Sequence, residues 1–344
     1  MGESDKNEIY LSSSPHASSK IETKHLMRSV LLASLPLTLY GIYLFSFPAL
    51  IRIVLSIAFA VLFESSYKEL MGLKVRLQDG SAAITGLFLA LIVPPNLPIW
   101  QLILGDFFAI IIGKEIFGGL GQNPFNPALV GRAFLFVSFS RSMSSWVTPN
   151  LNPFSTLVSK VDALSCASPL SIINHGEGGV ASADVIAKTM GVSSVKDLYM
   201  HLFLGNHAGC IGETSTLLIL LGGIYLIVRG VIDWRIPIPM IFTSTALAWI
   251  FGVDPILTLT TGGLCFGAFF MATDYVTSPL TSKGRILFGI GCGLITALLR
   301  LFSSLPEGVM FSILVMNAFV PFLNKLVRRK YGYVKAKKNK EAAK

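Results

Sequence analysis

Four short stretches of the chain gather residue types that hold cofactors or ions. The first is Asp162-Ala163-Leu164-Ser165-Cys166-Ala167-Ser168-Pro169-Leu170, where small residues flank a hydroxyl and an acid lies six positions upstream. Standing alone, that pattern also fits a hydroxyl-stabilised turn ahead of a proline-started helix. The second runs from Gly118 to Ala128 and holds Asn123, Pro124, Asn126 and Pro127. Two prolines there free backbone carbonyls, which the asparagine amides can satisfy unless they bind a ligand instead. The third, Met271 to Thr281, offers the Asp274 carboxylate with the hydroxyls of Thr273, Thr277 and Ser278. Helix capping by Asn, Thr and Asp is the competing reading for both stretches. The fourth is Glu213 after Gly212 at the mouth of an apolar run, where an acid serves either as a helix cap or as a step on an ion path.

Other reactive residue types carry less. Cys166, Cys210, Cys265 and Cys292 form no CxxC pair and read as small packing residues. His16, His25, His175, His201 and His207 show no helical metal spacing. Lys114-Glu115 reads as a local, partly hydrated pair near a span end.

The elements that position these groups follow from composition. Of 344 residues, 52% are hydrophobic and only 14% charged, against about 25% charged in an ordinary soluble domain. Mean hydropathy is +0.65. These values exclude a disordered chain, a nucleic-acid-binding domain and a disulfide scaffold, and they predict an all-α polytopic membrane protein. Apolar runs at residues 27–47, 48–64, 82–98, 101–118, 126–145, 213–230, 236–252, 257–273, 286–302 and 308–326 give about ten spans. The implied organisation is a polar tail over residues 1–25, a first membrane repeat over 26–145, and a long outer loop over 146–212. A second repeat over 213–327 and a basic tail over 328–344 complete it.

Charge sets the expected orientation. With both termini cytoplasmic, all of the 28 Lys and Arg except Arg52, Arg141, Lys160, Lys188, Lys196 and Arg300 fall inside. The net charge of +9 is then a topology signal with attraction to anionic lipid, not a nucleic-acid footprint. A pattern also recurs. Asp79-Gly80-Ser81 with Thr85-Gly86 is echoed by Asp254 with Thr261-Gly262, and Leu129 to Phe134 by Leu314 to Phe319. With about five spans per half, the second copy is inverted, and such repeats place sites near the mid-membrane between broken helices.

Taken together, Asp79 to Gly86, Gly118 to Ala128, Gly212-Glu213-Thr214-Ser215, Trp234-Arg235-Ile236-Pro237 and Gly267 to Asp274 resemble a known family. It is the RnfD/NqrB family, membrane components of the bacterial Rnf electron-transport complex and of the sodium-translocating NADH:quinone oxidoreductase. The resemblance runs from about Ser14 to Lys325. In that family a flavin transferase attaches FMN by a phosphoester to the last threonine of the outer-loop motif. Asp162, Ser165 and Ala167 match the motif. Cys166 stands at the family's glycine and Ser168 at its threonine, and a serine hydroxyl makes the same ester. Tyr275 stands at the family's proline.

The resemblance implies a subunit of a redox-driven, ion-translocating oxidoreductase of the ferredoxin:NAD+ type in the bacterial inner membrane. It would carry FMN on Ser168 and work with a second flavin-carrying subunit, iron-sulfur subunits, and Na+ or H+. The flavin ring would reach inward to a slot lined by Asn123, Asn126, Thr273, Asp274 and Thr277. No GxGxxG follows a strand-like run, so electrons must arrive from a partner. A solute channel or transporter with a mid-membrane site is the alternative that the inverted repeat leaves open.

Overall fold

The computed structural model describes residues 23–73, 79–147, 149, 165–166, 169–170, 183–192, 194–303 and 307–327. The 48-residue helix Thr23–Leu70 is two helices joined at Ser46, whose φ of 55° leaves the helical region. Pro48 explains the site of the break, because it has no N–H to return to Leu44 and it disfavours helical backbone at Phe47. The boundary expected between residues 47 and 48 is therefore nearly right.

Ser81–Leu91 starts after Gly80 in the left-handed region and ends at Ile92, ahead of Pro94 and Pro95. Eleven residues span about 16 Å, half of a hydrocarbon core of about 30 Å. Ten of the eleven are buried, so this helix touches protein on nearly every side. Ile99–Phe107 follows and widens into a π-helix over Phe108–Glu115. Pro127–Ser138 starts on Asn126, whose side chain accepts the Leu129 N–H.

The second half repeats these devices. Thr216–Val228 and Pro237–Ile250 precede Pro255–Thr260, which is capped by Asp254. Leu264–Phe266 widens into a π-helix over Gly267–Met271. Ser282–Phe302, capped by Thr281, and Val309–Val327 close the bundle. Two described helices, Thr23–Leu70 and Ser282–Phe302, are long and apolar enough to cross a membrane, and five shorter apolar helices accompany them. The expected spans at 82–98 and 257–273 are interrupted helices, not continuous ones. Hydropathy reports apolar runs and cannot see the prolines and glycines that cut them.

The two interrupted helices meet at the centre, where Phe88 stands edge-to-face against Phe266 and Phe270 at 5.9 and 6.0 Å. They run in opposite directions. Ser81 begins beside Lys114, and the Leu91 carbonyl ends on the Gly212 N–H at 2.7 Å. Leu264 begins near the loops, and the Met271 carbonyl ends on the Asn126 amide. The bundle thus has a cavity end, around Asn126 and Met271, and a loop end, around Gly212. Outside, Leu32, Leu35, Leu39, Phe242, Trp249 and Ile250 are exposed. So much uncovered apolar surface is what a lipid-facing protein presents, and the protein is a membrane protein.

At the loop end, Trp146–Val147 pairs antiparallel with Ser165–Cys166. The outer loop also forms helices Ala183–Thr189 and Val195–Leu204, which pack Ile186, Leu198 and Leu202 onto Ala248, Val253 and Leu257. The Tyr199 hydroxyl donates to Asp254. Burial, that hydrogen bond and the Asp254 charge push the Tyr199 phenol up to about 12. Between Thr216–Val228 and Pro237–Ile250, Asp233 accepts from Arg235 at 3.0 Å and Arg285 at 2.7 Å. Burial opposes its ionisation, but the Arg235 N–H and the two guanidinium groups hold the carboxyl below the ordinary range.

Close approach of backbones holds the first half together. A Cβ on Gly131 would lie 2.6 Å from the Gly105 carbonyl oxygen and 2.8 Å from the Ala109 Cβ. Small residues permit such crossings in membranes. Gly131→Val should therefore cost about 1–3 kcal/mol by overpacking, read as a lower thermal midpoint in detergent. An unchanged midpoint would show that the two helices do not cross there.

Candidate functional site

Two sites emerge, one at each end of the bundle. At the cavity end, a space of about 780 Å³, counted with its open mouth, lies between the two broken segments. Asn123, Asn126, Thr273 and Asp274 line it together with Phe88, Phe269, Phe270, Lys114 and Tyr275. Four of the expected ring-contacting residues therefore share one cavity, although 150 positions or so separate them in sequence. Thr277 stands just behind, its hydroxyl donating to Asp274 Oδ2 at 3.1 Å.

Capping accounts for part of this polar set, and cross-bracing for more. Asn126 Oδ1 accepts from the Leu129 N–H, while Nδ2 donates to the Met271 carbonyl at 3.2 Å. The Asn317 amide, turned to satisfy both ends, donates to the Thr277 carbonyl and accepts from the Asn126 N–H, each at 3.2 Å. Thr273 donates to the Phe269 carbonyl at 2.6 Å. Asn123 Nδ2 donates to the Phe125 carbonyl at 3.0 Å, but its buried Oδ1 accepts nothing. That lone acceptor in an apolar, aromatic slot suits a planar ligand with an N–H on its edge.

Beneath the slot, Lys114 donates to Glu64 Oε2 and to Ser81 Oγ, both at 2.6 Å. Lys68 pairs with the same Glu64. Lys114 and Glu115 are buried, and their nitrogen and oxygen are 3.8 Å apart. The expected hydrated local pair is instead a buried network whose main acid, Glu64, comes from the first helix.

At the loop end, Arg132 is buried within its helix and is not the cytoplasmic topology charge it was expected to be. It donates from Nη1 to Glu213 Oε1 at 2.8 Å and from Nη2 to Glu307 Oε2, with Cys210 Sγ at 3.5 Å. Cys210, Glu213 and Glu307 present ligand atoms within 4.8 Å of one another. Arg132 bonds to all three, so the group is an ion cluster organised by a guanidinium. Glu213, read from sequence as a cap or an ion-path acid, has this partner. Ser215, two residues on, is the cap. Sequence reasoning passed over Glu307 entirely. The available signal was Arg132 inside an apolar run, since such a charge needs a partner.

The outer-loop motif is held at both flanks. Ser165 and Cys166 lie on the two-residue ladder, and Pro169 and Leu170 are buried. Asp162 and Ser168 fall outside the described residues. The expected arrangement, one FMN on Ser168 with its ring between Asn126 and Thr273, meets an obstacle. The motif flanks sit at the loop end, and helix Pro127–Ser138, about 18 Å long, separates that end from the slot.

An apolar helical bundle with antiparallel broken helices and buried ionic clusters defines a polytopic membrane protein of the transport class. The chain belongs to the NQR2, RnfD, RnfE family, whose model matches residues 10–332. It is 41% identical over 330 residues to the RnfD-type subunit of the proton-translocating ferredoxin:NAD(+) oxidoreductase complex of Clostridium ljungdahlii, covering 94% of this chain and 96% of that one. It is 40% identical over 339 residues to the Na(+)-translocating counterpart of Acetobacterium woodii, covering 98% of this chain and all of the other. The corresponding subunit of an ion-translocating oxidoreductase complex of Stutzerimonas stutzeri is 40% identical over 323 residues, or 89% and 91% of the two chains.

Removing one member of the loop-end cluster leaves buried charge uncompensated. Arg132→Ala should destabilise the protein by about 3–5 kcal/mol. Arg132→Met with Glu213→Gln and Glu307→Gln should recover much of that loss, as followed by thermal unfolding in detergent. If Arg132→Ala unfolds like the unmutated chain, the cluster does not hold the bundle.

Proposed function

We propose that this chain is the membrane subunit of an Rnf-type complex that couples electron transfer from ferredoxin to NAD+ with transport of Na+ or H+. The support is family membership together with two binding positions at opposite ends of one bundle. In this reading both termini are cytoplasmic, about ten segments form two inverted repeats, and the motif loop is extracytoplasmic. The protein works with iron-sulfur subunits and a second flavin-carrying subunit. The opposed directions of Ser81–Leu91 and Leu264–Met271 support the inverted arrangement.

FMN is esterified through its phosphate to Ser168, on a loop whose flanks are pinned to the bundle. The observation that carries this assignment is the backbone ladder from Ser165–Cys166 to Trp146–Val147, which fixes the motif at the outer end. The slot at the other end takes a separate isoalloxazine-like ring. Asn123 Oδ1 accepts its edge N–H, Phe88, Phe269 and Phe270 exclude water, and Lys114 supplies a fixed positive charge below. Bound flavin would supply one-electron chemistry, while the chain sets position and electrostatics. Which ion moves is left as Na+ or H+, because the two relatives' names divide on that point.

The test is expression in the assembled complex together with the flavin transferase. A fluorescent band for this chain in a denaturing gel is expected, retained in Ser168→Thr and absent in Ser168→Ala. Flavin released by denaturation should be lost in Asn123→Leu while the fluorescent band stays. A dark band from the unmutated chain would remove the ester. Absence of any flavin would favour the solute-transport reading.

A further inference from the structure

Arg300, near the outer end of Ser282–Phe302, is buried, yet its guanidinium pairs with no carboxylate among the described residues. Nη1 donates to the Thr258 carbonyl at 3.1 Å and Nη2 to the Thr261 carbonyl at 3.3 Å. Those bonds use two of its five N–H donors, and the buried Nε has no partner. The fully buried Ser244 Oγ has none either. Both side chains line a cavity of about 330 Å³, counted with its mouth, with Leu170, Thr258 and Thr261. The two threonine hydroxyls are already spent on the Asp254 and Leu257 carbonyls. Glu213 and Glu307 are engaged by Arg132.

An orphaned buried donor costs about 1–3 kcal/mol, and here two converge. A guanidinium can only donate, and the hydroxyl can donate as well, so the matching ligand is rich in acceptors and negatively charged. The position identifies its source. A Cβ on Gly262 would lie 2.9 Å from Leu170 Cδ2 and 3.1 Å from Arg300 Nη2, so those two atoms are within about 6 Å of each other. Ser168 precedes Leu170 by two residues, which puts its Cα within about 7 Å of that of Leu170. A phosphoryl group on its hydroxyl falls within reach of Arg300. Once esterified on both sides, that phosphate carries one negative charge, which one guanidinium matches.

We propose that Arg300 and Ser244 form a phosphoryl-binding pocket that holds the phosphodiester of the flavin carried on Ser168. This deepens the reading given above and rests on it for the source of the phosphate. Arg300 is then a positioning residue. It fixes the cofactor's tether against the Pro255–Thr260 turn, so the ring pivots from a defined point.

The experiment uses the assembled complex in membranes, co-expressed with the transferase, and reads two properties of this chain's flavin: occupancy in a denaturing gel, and fluorescence anisotropy with iodide quenching in the folded state. Arg300→Gln is expected to lower occupancy several-fold, or to leave the flavin attached with reduced anisotropy and increased quenching. Arg300→Lys should restore both, a rescue that a purely structural role would not give with the guanidinium hydrogen bonds altered. Should Arg300→Gln fail to fold, Ser244→Ala decides on the same readouts. A separate arm titrates the Ser168→Ala chain with inorganic phosphate against chloride at equal ionic strength. A thermal shift specific to phosphate, weakened roughly tenfold in affinity by Arg300→Gln, supports the pocket independently of flavin attachment. If the unmutated chain carries no covalent flavin, the functional reading fails and the phosphate arm alone decides the pocket. Unchanged occupancy, anisotropy and quenching in the folded variants, or in their place no phosphate-specific shift, overturns the proposal and leaves a site for water only.

Discussion

The buried ion cluster of Arg132 with Glu213 and Glu307 is the constraint on which the rest of the bundle depends. Its members lie 81 and 175 residues apart in sequence and bring one helix of the first half against two loops of the second. Charges this far from water are held only because each has a partner. A gain in stability over a well-packed apolar core is not expected from such a cluster. It fixes register instead: no shift of Pro127–Ser138 against the second half keeps both carboxylates on the guanidinium.

That fixed register allows the centre of the bundle to be irregular. Ser81–Leu91 and the Leu264–Met271 segment stop partway through, and their free ends need acceptors and donors. The Gly212 N–H takes the Leu91 carbonyl, and the Asn126 amide takes that of Met271. Each half also carries one π-helical stretch, Phe108–Glu115 and Gly267–Met271. Such widened turns often mark functional positions, and here each delivers its last residues to the same cavity. Lys114 and Thr273 meet there because both halves use the same local device.

Much of this organisation is legible in the sequence. Pro48, Pro94-Pro95 and Pro124 with Pro127 mark the breaks, and the paired Asn- and Thr-rich stretches mark the slot, because prolines in apolar runs must expose backbone groups. The lengths of the central helices are not legible, since an apolar run reads alike whether continuous or cut. Nor are the ionic partnerships of Arg132 and Lys114. A lone charge in a span announces that it needs a partner, but its identity depends on tertiary packing. Glu64 and Glu307 look like ordinary span-end acids until the helices are assembled. The distance between the slot and the motif loop was likewise hidden, because Asn126 and Ser165 are joined by a helix and a loop whose directions only the fold reveals.

The central claim is that the loop end carries an esterified flavin while the cavity end holds a ring without a bond. Intact mass spectrometry of this chain, isolated from the transferase-containing complex, tests it most directly. The account predicts a single adduct of one FMN less one water, mapped by fragmentation to the peptide containing Ser168, and no adduct elsewhere. A chain of unmodified mass, or an adduct on any peptide lining the cavity, would contradict it.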